Sequence, residues 1–186
     1  MTPHQFQISQ DTQALFITLN TRHRLPVFQK DALASVLCEA IGEARQSVGL
    51  LVFAYVVMID HLHLLTDQPR PPSEIVRMIK GITARRVIDW LKERDYVSSL
   101  AKLSRVEGKR NHKYSLWQTE RNLLPIFSEG VFVQKANYIH QNPVRAGYVD
   151  RDIDYRWSSA RIWKRCDFGD EPLIVDIDRI AWRRSR

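Results

Sequence analysis

The chain has 186 residues, 44% of them apolar and 10% aromatic, with a formal net charge of +7. That composition suits one compact folded domain with a sizeable core and excludes a disordered tail. The longest apolar run, residues 50–59, is far too short to span a bilayer, and the first residues lack a basic region leading into an apolar core, so a membrane span and export are not expected and a cytoplasmic location is.

The charge is unevenly spread. Residues 76–121 hold 12 of the 28 basic side chains but only 5 of the 21 acidic ones. Such a concentration can neutralise phosphates and steer a polyanion, although a solvated charged surface accounts for the same excess. No Lys-rich amphipathic segment favours a membrane surface instead. Cys38 and Cys166 lie far apart without a metal-binding spacing, as expected of two reduced thiols.

In chain order, Ala14–Val27 reads as a first strand, with Leu15, Ile17 and Leu19 on one face. A helical pattern begins at Lys30–Asp31 and runs to about Ser47, where Leu33, Val36, Leu37 and Ile41 form one apolar face before Gly49. Leu50–Met58 is short, densely apolar and rich in β-branched and aromatic residues, which predicts a central strand. Asp60 interrupts it and His61–Thr66 resumes it, predicting two antiparallel strands with a tight connection. After Pro71 and Pro72, Ser73 is a candidate N-cap for a helix reaching about Arg94, buried along Val76, Ile79, Val87 and Leu91. Ser98–Tyr114 reads as a basic loop or frayed helix, and Tyr114–Thr119 as the last strand. A helix is predicted over Phe132–Gln141, stopped by Pro143, and a short one over Tyr155–Lys164, capped by Asp154. The order predicts an α+β domain: a ferredoxin-like antiparallel sheet with helices on one face and additional C-terminal helices. Residues 1–165 are assigned to this domain and residues 166–186 to a basic tail, flexible or docked.

Two places carry candidate chemistry. Residues i and i+2 of a strand point to the same face, so His61 and His63 project together and Leu62 and Leu64 oppose them. Two neutral imidazoles on one face can ligate a divalent ion, and an ordinary strand edge fits the same spacing. A further donor must come from elsewhere. Alternation aims Asp60 away from the pair, as a solvent-exposed turn residue unless it orients an imidazole. Tyr138 and Asn142 are four apart and share one face of a helix. Asn142 fits either a local cap before Pro143 or an oxygen donor to a metal. Tyr138 fits either a core aromatic or a nucleophile. Phenols are poorly ionised at neutral pH, so the latter needs a nearby divalent ion and basic groups. Gln141 lies near the same face as a secondary donor, and His140 falls off it.

The segments HLHLL at 61–65, RMIKGITARRVIDW at 77–90, LWQ at 116–118, YIHQNPVRAGYV at 138–149 and YRWSSA at 155–160 follow one another in a specific order. In this the chain resembles the REP-associated tyrosine transposases, members of the His-hydrophobic-His single-tyrosine superfamily, over about residues 13–160. Where that family usually has MPNH, this chain has MIDH at 58–61. The resemblance implies a ferredoxin-like catalytic domain, Tyr138 as nucleophile, and His61, His63 and Asn142 holding Mg²⁺ or Mn²⁺. It implies single-stranded DNA bearing a hairpin as partner, cleaved and rejoined through a 5′-phosphotyrosine, by a monomer or a homodimer. Candidate DNA contacts are Arg77, Lys80, Arg85, Arg86, Lys109, Arg110 and Lys113, with Trp117 either stacking a base or buried beneath the sheet. A non-catalytic DNA or RNA hairpin-binding protein is the alternative.

Overall fold

A computed structural model describes residues 5–9, 11–104, 113–120, 122–166 and 168–182. Four strands, β1 (Ala14–Asn20), β2 (Val52–Val57), β3 (His61–Thr66) and β4 (Asn122–Ile126), form one sheet in the order β2-β3-β1-β4. Every neighbouring pair is antiparallel. Helix α1 (Asp31–Val48) joins β1 to β2, while α2 (Pro72–Glu93) and α3 (Val97–Leu103) precede β4. This is the ferredoxin-like order, to which α4 (Glu129–Arg145) and the short α5 (Ala160–Trp163) are added.

Strand alternation divides the core between the two faces of the sheet. Leu15, Ile17, Leu19, Leu62 and Leu64 face α1 and α2, where Leu37, Ile41, Val76 and Ile79 meet them. Phe16, Val56 and Leu65 face α4, where Phe132, Ala136 and Ile139 meet them. A bulge between Val52 and Ala54 sends Phe53 and Ala54 both toward α4. The segment 168–182 packs on the sheet through Leu173, Val175 and Ile180. There Asp176 accepts from the Val52 amide at 2.9 Å and from Arg45 at 2.6 Å.

Several boundaries differ from expectation. The first strand ends at Asn20 rather than Val27. The last strand is Asn122–Ile126, not Tyr114–Thr119. Leu116 and Trp117 are buried in succession, which a pleated strand with one wet face does not allow, and Trp117 Nε1–H donates to Thr83 Oγ1 at 2.9 Å. Only isolated bridges, Ser104–Tyr114 and Thr21–Trp117, pair that stretch. β4 tolerates Pro125 because it is the sheet edge. Pro72, not Ser73, opens α2, since proline suits the first helical turn where N–H groups are unpaired anyway. Pro143 does not stop α4. It falls in the last turn, and the helix ends only at Arg145. The 155–164 helix shortens to Ala160–Trp163, behind a 3₁₀ turn at Asp152–Asp154. Tyr155 donates to the Val57 carbonyl at 2.8 Å and Trp157 to Asp31 at 2.9 Å, which docks this segment across β2 and α1.

Candidate active site

The site forms where β3 passes beneath α4. Alternation puts His61 and His63 on the α4 face, with ring centroids 4.9 Å apart. The Tyr138 ring lies 5.5 Å from the His63 ring and meets it edge-on at 72°. Phe16 of β1 stacks on His63 at 5.3 Å and meets the Tyr138 ring edge-on at 6.0 Å. Two distant segments of sequence thus converge on one imidazole.

Both histidines are held by their Nδ1 atoms. His61 Nδ1 lies 2.6 Å from an Asp60 carboxylate oxygen, and His63 Nδ1 lies 2.9 Å from Thr18 Oγ1. In each ring Nε2 is therefore the nitrogen left to ligate. Burial lowers the pKa of His61, against the raising influence of Asp60. Burial, reinforced by the nearby charges of His61, Arg24 and Lys135, holds His63 at about 3. Both rings are then neutral at physiological pH, the form in which an imidazole can bind a metal.

Asp60 is a correction to the sequence reading. It is not a solvent-exposed turn residue: its side chain is 19% exposed and bridges His61 to Arg24, whose Nε lies 2.9 Å away. The tight link between β2 and β3 turns Asp60 back against the strand it precedes. His23 and Arg24 adopt left-handed backbone conformations, with φ of 53° and 55°, unusual for non-glycine residues. That turn carries Arg24 to Asp60, and Thr21 braces it by donating to the Leu25 and Asp60 carbonyls at 2.7 and 2.9 Å.

On α4, Lys135, Tyr138, Asn142 and Arg145 follow helical spacing along one face. The Lys135 ammonium and the Arg145 guanidinium lie 5.5 and 5.4 Å from the Tyr138 ring centroid. Asn142 Nδ2 donates to the Tyr138 carbonyl one turn back at 2.7 Å, which leaves Oδ1 as its acceptor. Gln141 directs its amide nitrogen to Asp152, to which it donates at 2.9 Å. His140 lies off the site, buried against Ser159 Oγ at 2.9 Å.

Among the described residues, no group of three or more His, Cys, Asp and Glu could hold a metal. The donor set here would be two imidazoles and an amide oxygen. Its chemistry fits a divalent ion whose remaining positions are filled by phosphate oxygens and water.

The expected DNA contacts are scattered. Arg77, Lys80, Arg85 and Arg86 belong to α2, which packs on the sheet face opposite the histidines. Arg85 and Arg86 pair with Glu43 of α1, and Lys80 donates to the Gln118 and Glu120 carbonyls. Lys113 is exposed, and Lys109 and Arg110 lie outside the described residues. Trp117 is buried beneath the sheet beside Phe28 and has no free face for a base. Sequence reasoning placed the orienting role of Asp60 second to an exposed turn, and missed Arg24, Thr18, Lys135 and Arg145 as partners of the site. The cross-strand position of Thr18 opposite His63, and the i−3 and i+7 spacing about Tyr138, were the available signals.

No helix among the described residues is long and apolar enough to cross a membrane. The sequence profile of the family described as "Transposase IS200 like" matches residues 10–102, half of the chain, including His61 and His63 but ending before α4. No curated protein matches. Among solved structures, a REP-associated tyrosine transposase bound to a REP hairpin is similar at 18% identity and a TM-score of 0.61, covering 95% of this chain and 93% of that one. A protein described as a transposase from Deinococcus radiodurans is 24% identical with a TM-score of 0.46, over 70% of this chain and 90% of its own. This chain belongs to the IS200-like transposase family and carries, over nearly its whole length, the fold of a REP-associated tyrosine transposase.

Proposed function

We propose that the chain is a metal-dependent single-stranded DNA endonuclease and strand transferase acting at hairpin-associated sites. The observation that carries this reading is the meeting of His61, His63 and Tyr138, with adjacent ring centroids 4.9 and 5.5 Å apart. A protein that only bound DNA would need no such convergence.

Tyr138 is the nucleophile. Its phenolic oxygen forms a bond to the scissile phosphorus while the bond to the 3′ oxygen breaks. The phenol proton leaves to solvent or a neighbouring base, and the departing 3′ oxygen is protonated to a free 3′-OH. The 5′ side of the cut stays on the enzyme as a phosphotyrosine. Attack by another 3′-OH reverses these steps and restores Tyr138. The phosphodiester bond energy is retained throughout, so no nucleotide cofactor is consumed.

Asp60 and Thr18 orient the two imidazoles, and the Asn142 amide is anchored to leave its oxygen available. Mg²⁺ or Mn²⁺ held by His61, His63 and Asn142 would polarise the phosphate and offset its developing charge. Lys135 and Arg145 bring positive charge near the Tyr138 ring, where it can meet the negative charge of the phosphate. The cations of α2 face away from this centre and act as a field that attracts a polyanion.

The test is covalent capture. Wild-type protein incubated with Mn²⁺ and a hairpin-bearing single strand gives a protein–DNA adduct that survives denaturation. Tyr138→Phe and His63→Ala give none. Binding without any adduct from the wild type would favour a non-catalytic DNA or RNA hairpin-binding protein.

A further inference from the structure

The sheet face that carries the histidines is only half covered. α4 lies over β2 and β3, and β4 is the sheet edge. Strand register sets what the open half presents. Thr18 lies between His63 and Asn122, and Phe16 lies between Leu65 and Leu124. All of these share the His63 face, whereas Leu123 opposite Ile17 turns toward α1 and α2. Phe16, Thr18, Asn122, Leu124 and Lys135 line an open groove, to which Leu123 also contributes.

Three features fit this groove to one strand of DNA. It runs directly into the candidate active site, since Phe16 stacks on His63 and Thr18 bonds to it. Its floor is apolar, with Leu124 42% exposed beside the rim of the Phe16 ring, which is itself only 8% exposed. Its wall carries one cation, Lys135, whose ammonium lies 5.1 Å from the Phe16 centroid and forms no ion pair with a described residue. An apolar platform flanked by a cation is the combination that holds an unpaired base and its phosphate. Asn122 and Thr18 add polar groups within reach of a base edge.

We propose that this groove seats the nucleotide adjoining the scissile phosphate, its base against Leu124 and the rim of Phe16 and its phosphate on Lys135. The inference rests on the strand-transfer reading and adds where the single strand lies. It can fail without that reading failing.

Binding of a fluorescein-labelled oligo-dT of about twelve nucleotides, followed by anisotropy in the Tyr138→Phe background, tests it. Lys135→Ala should lower the slope of log affinity against log salt by about 0.7, the loss of one single-strand phosphate contact. Leu124→Glu, at an exposed position, should weaken binding about tenfold by removing the platform and adding a like charge. Lys30→Ala, an equal charge change at the start of α1, should leave both quantities unaltered, and unchanged melting temperatures confirm that the variants fold. If the parent binds the oligonucleotide and both groove variants bind it equally well, the groove is wrong and the strand-transfer reading stands. If the parent does not bind it at all, the groove is likewise wrong, whereas the strand-transfer reading falls only if a hairpin-bearing strand gives no adduct. Preference for oligo-U through the same residues would overturn the assignment to DNA.

Discussion

Asp60 decides how the histidine pair is held. Its carboxylate fixes a proton on His61 Nδ1, which directs the Nε2 lone pair outward, and Arg24 balances the charge. Outer partners of this kind typically contribute 10–100-fold to metal affinity. Asp60→Ala should therefore weaken Mn²⁺ binding by about one to two orders of magnitude in calorimetric titration, with Asp60→Asn losing less. Equal affinity in all three proteins would remove Asp60 from the site. His140 gives a separate prediction, about stability. It titrates at about 6.5 when unfolded and at about 4 in the fold, where burial disfavours its charge. Between those values the unfolded chain takes up a proton that the native state refuses, so stability falls as pH drops from 6.5 toward 4. The integrated loss is roughly 3 kcal/mol. His140→Gln should flatten the dependence of the urea midpoint on pH across that window, and an unchanged slope would contradict the assignment.

At the scale of elements, the C-terminal segment is tied to the start of β2. Asp176 meets both the Val52 amide and Arg45 while its side chain is only 9% exposed. Asp176→Ala leaves the Val52 amide without its acceptor and Arg45 without its carboxylate, holding only the Ile174 carbonyl, and should cost about 2–4 kcal/mol in urea denaturation. A loss below about 0.5 kcal/mol would mean that the segment does not brace the sheet. What could be read in advance follows from the same local physics. β2 and β3 were legible as two strands because each is densely apolar, and the i, i+2 rule alone set His61 beside His63. The face shared by Tyr138 and Asn142 was legible from helical spacing. β4 was not, because an edge strand tolerates a proline and exposed residues, so NLLPI lacks the pattern that the buried Leu116–Trp117 pair imitates. Asp60 was misread because strict alternation ignores a tight turn that folds a residue back on its neighbour. The α2 arginines were legible as a charge cluster, but no periodicity reveals which side of a sheet a helix covers.

For the whole molecule, the fold divides labour between the two faces of one sheet. α1 and α2 bury one face and supply the larger apolar core. α4 covers part of the other and brings Tyr138 over the histidines, leaving the β1–β4 half open beside them. The family match ends before α4, so the junction of β3 with α4 is where the account is most exposed to test. Tandem mass spectrometry of the DNA-linked peptide, after incubation with Mn²⁺ and a hairpin-bearing single strand, examines that junction directly. The account predicts a nucleotide phosphate on Tyr138 as the sole linkage. A linkage on any other residue, or a wild-type protein that binds the strand and never becomes linked to it, would contradict it.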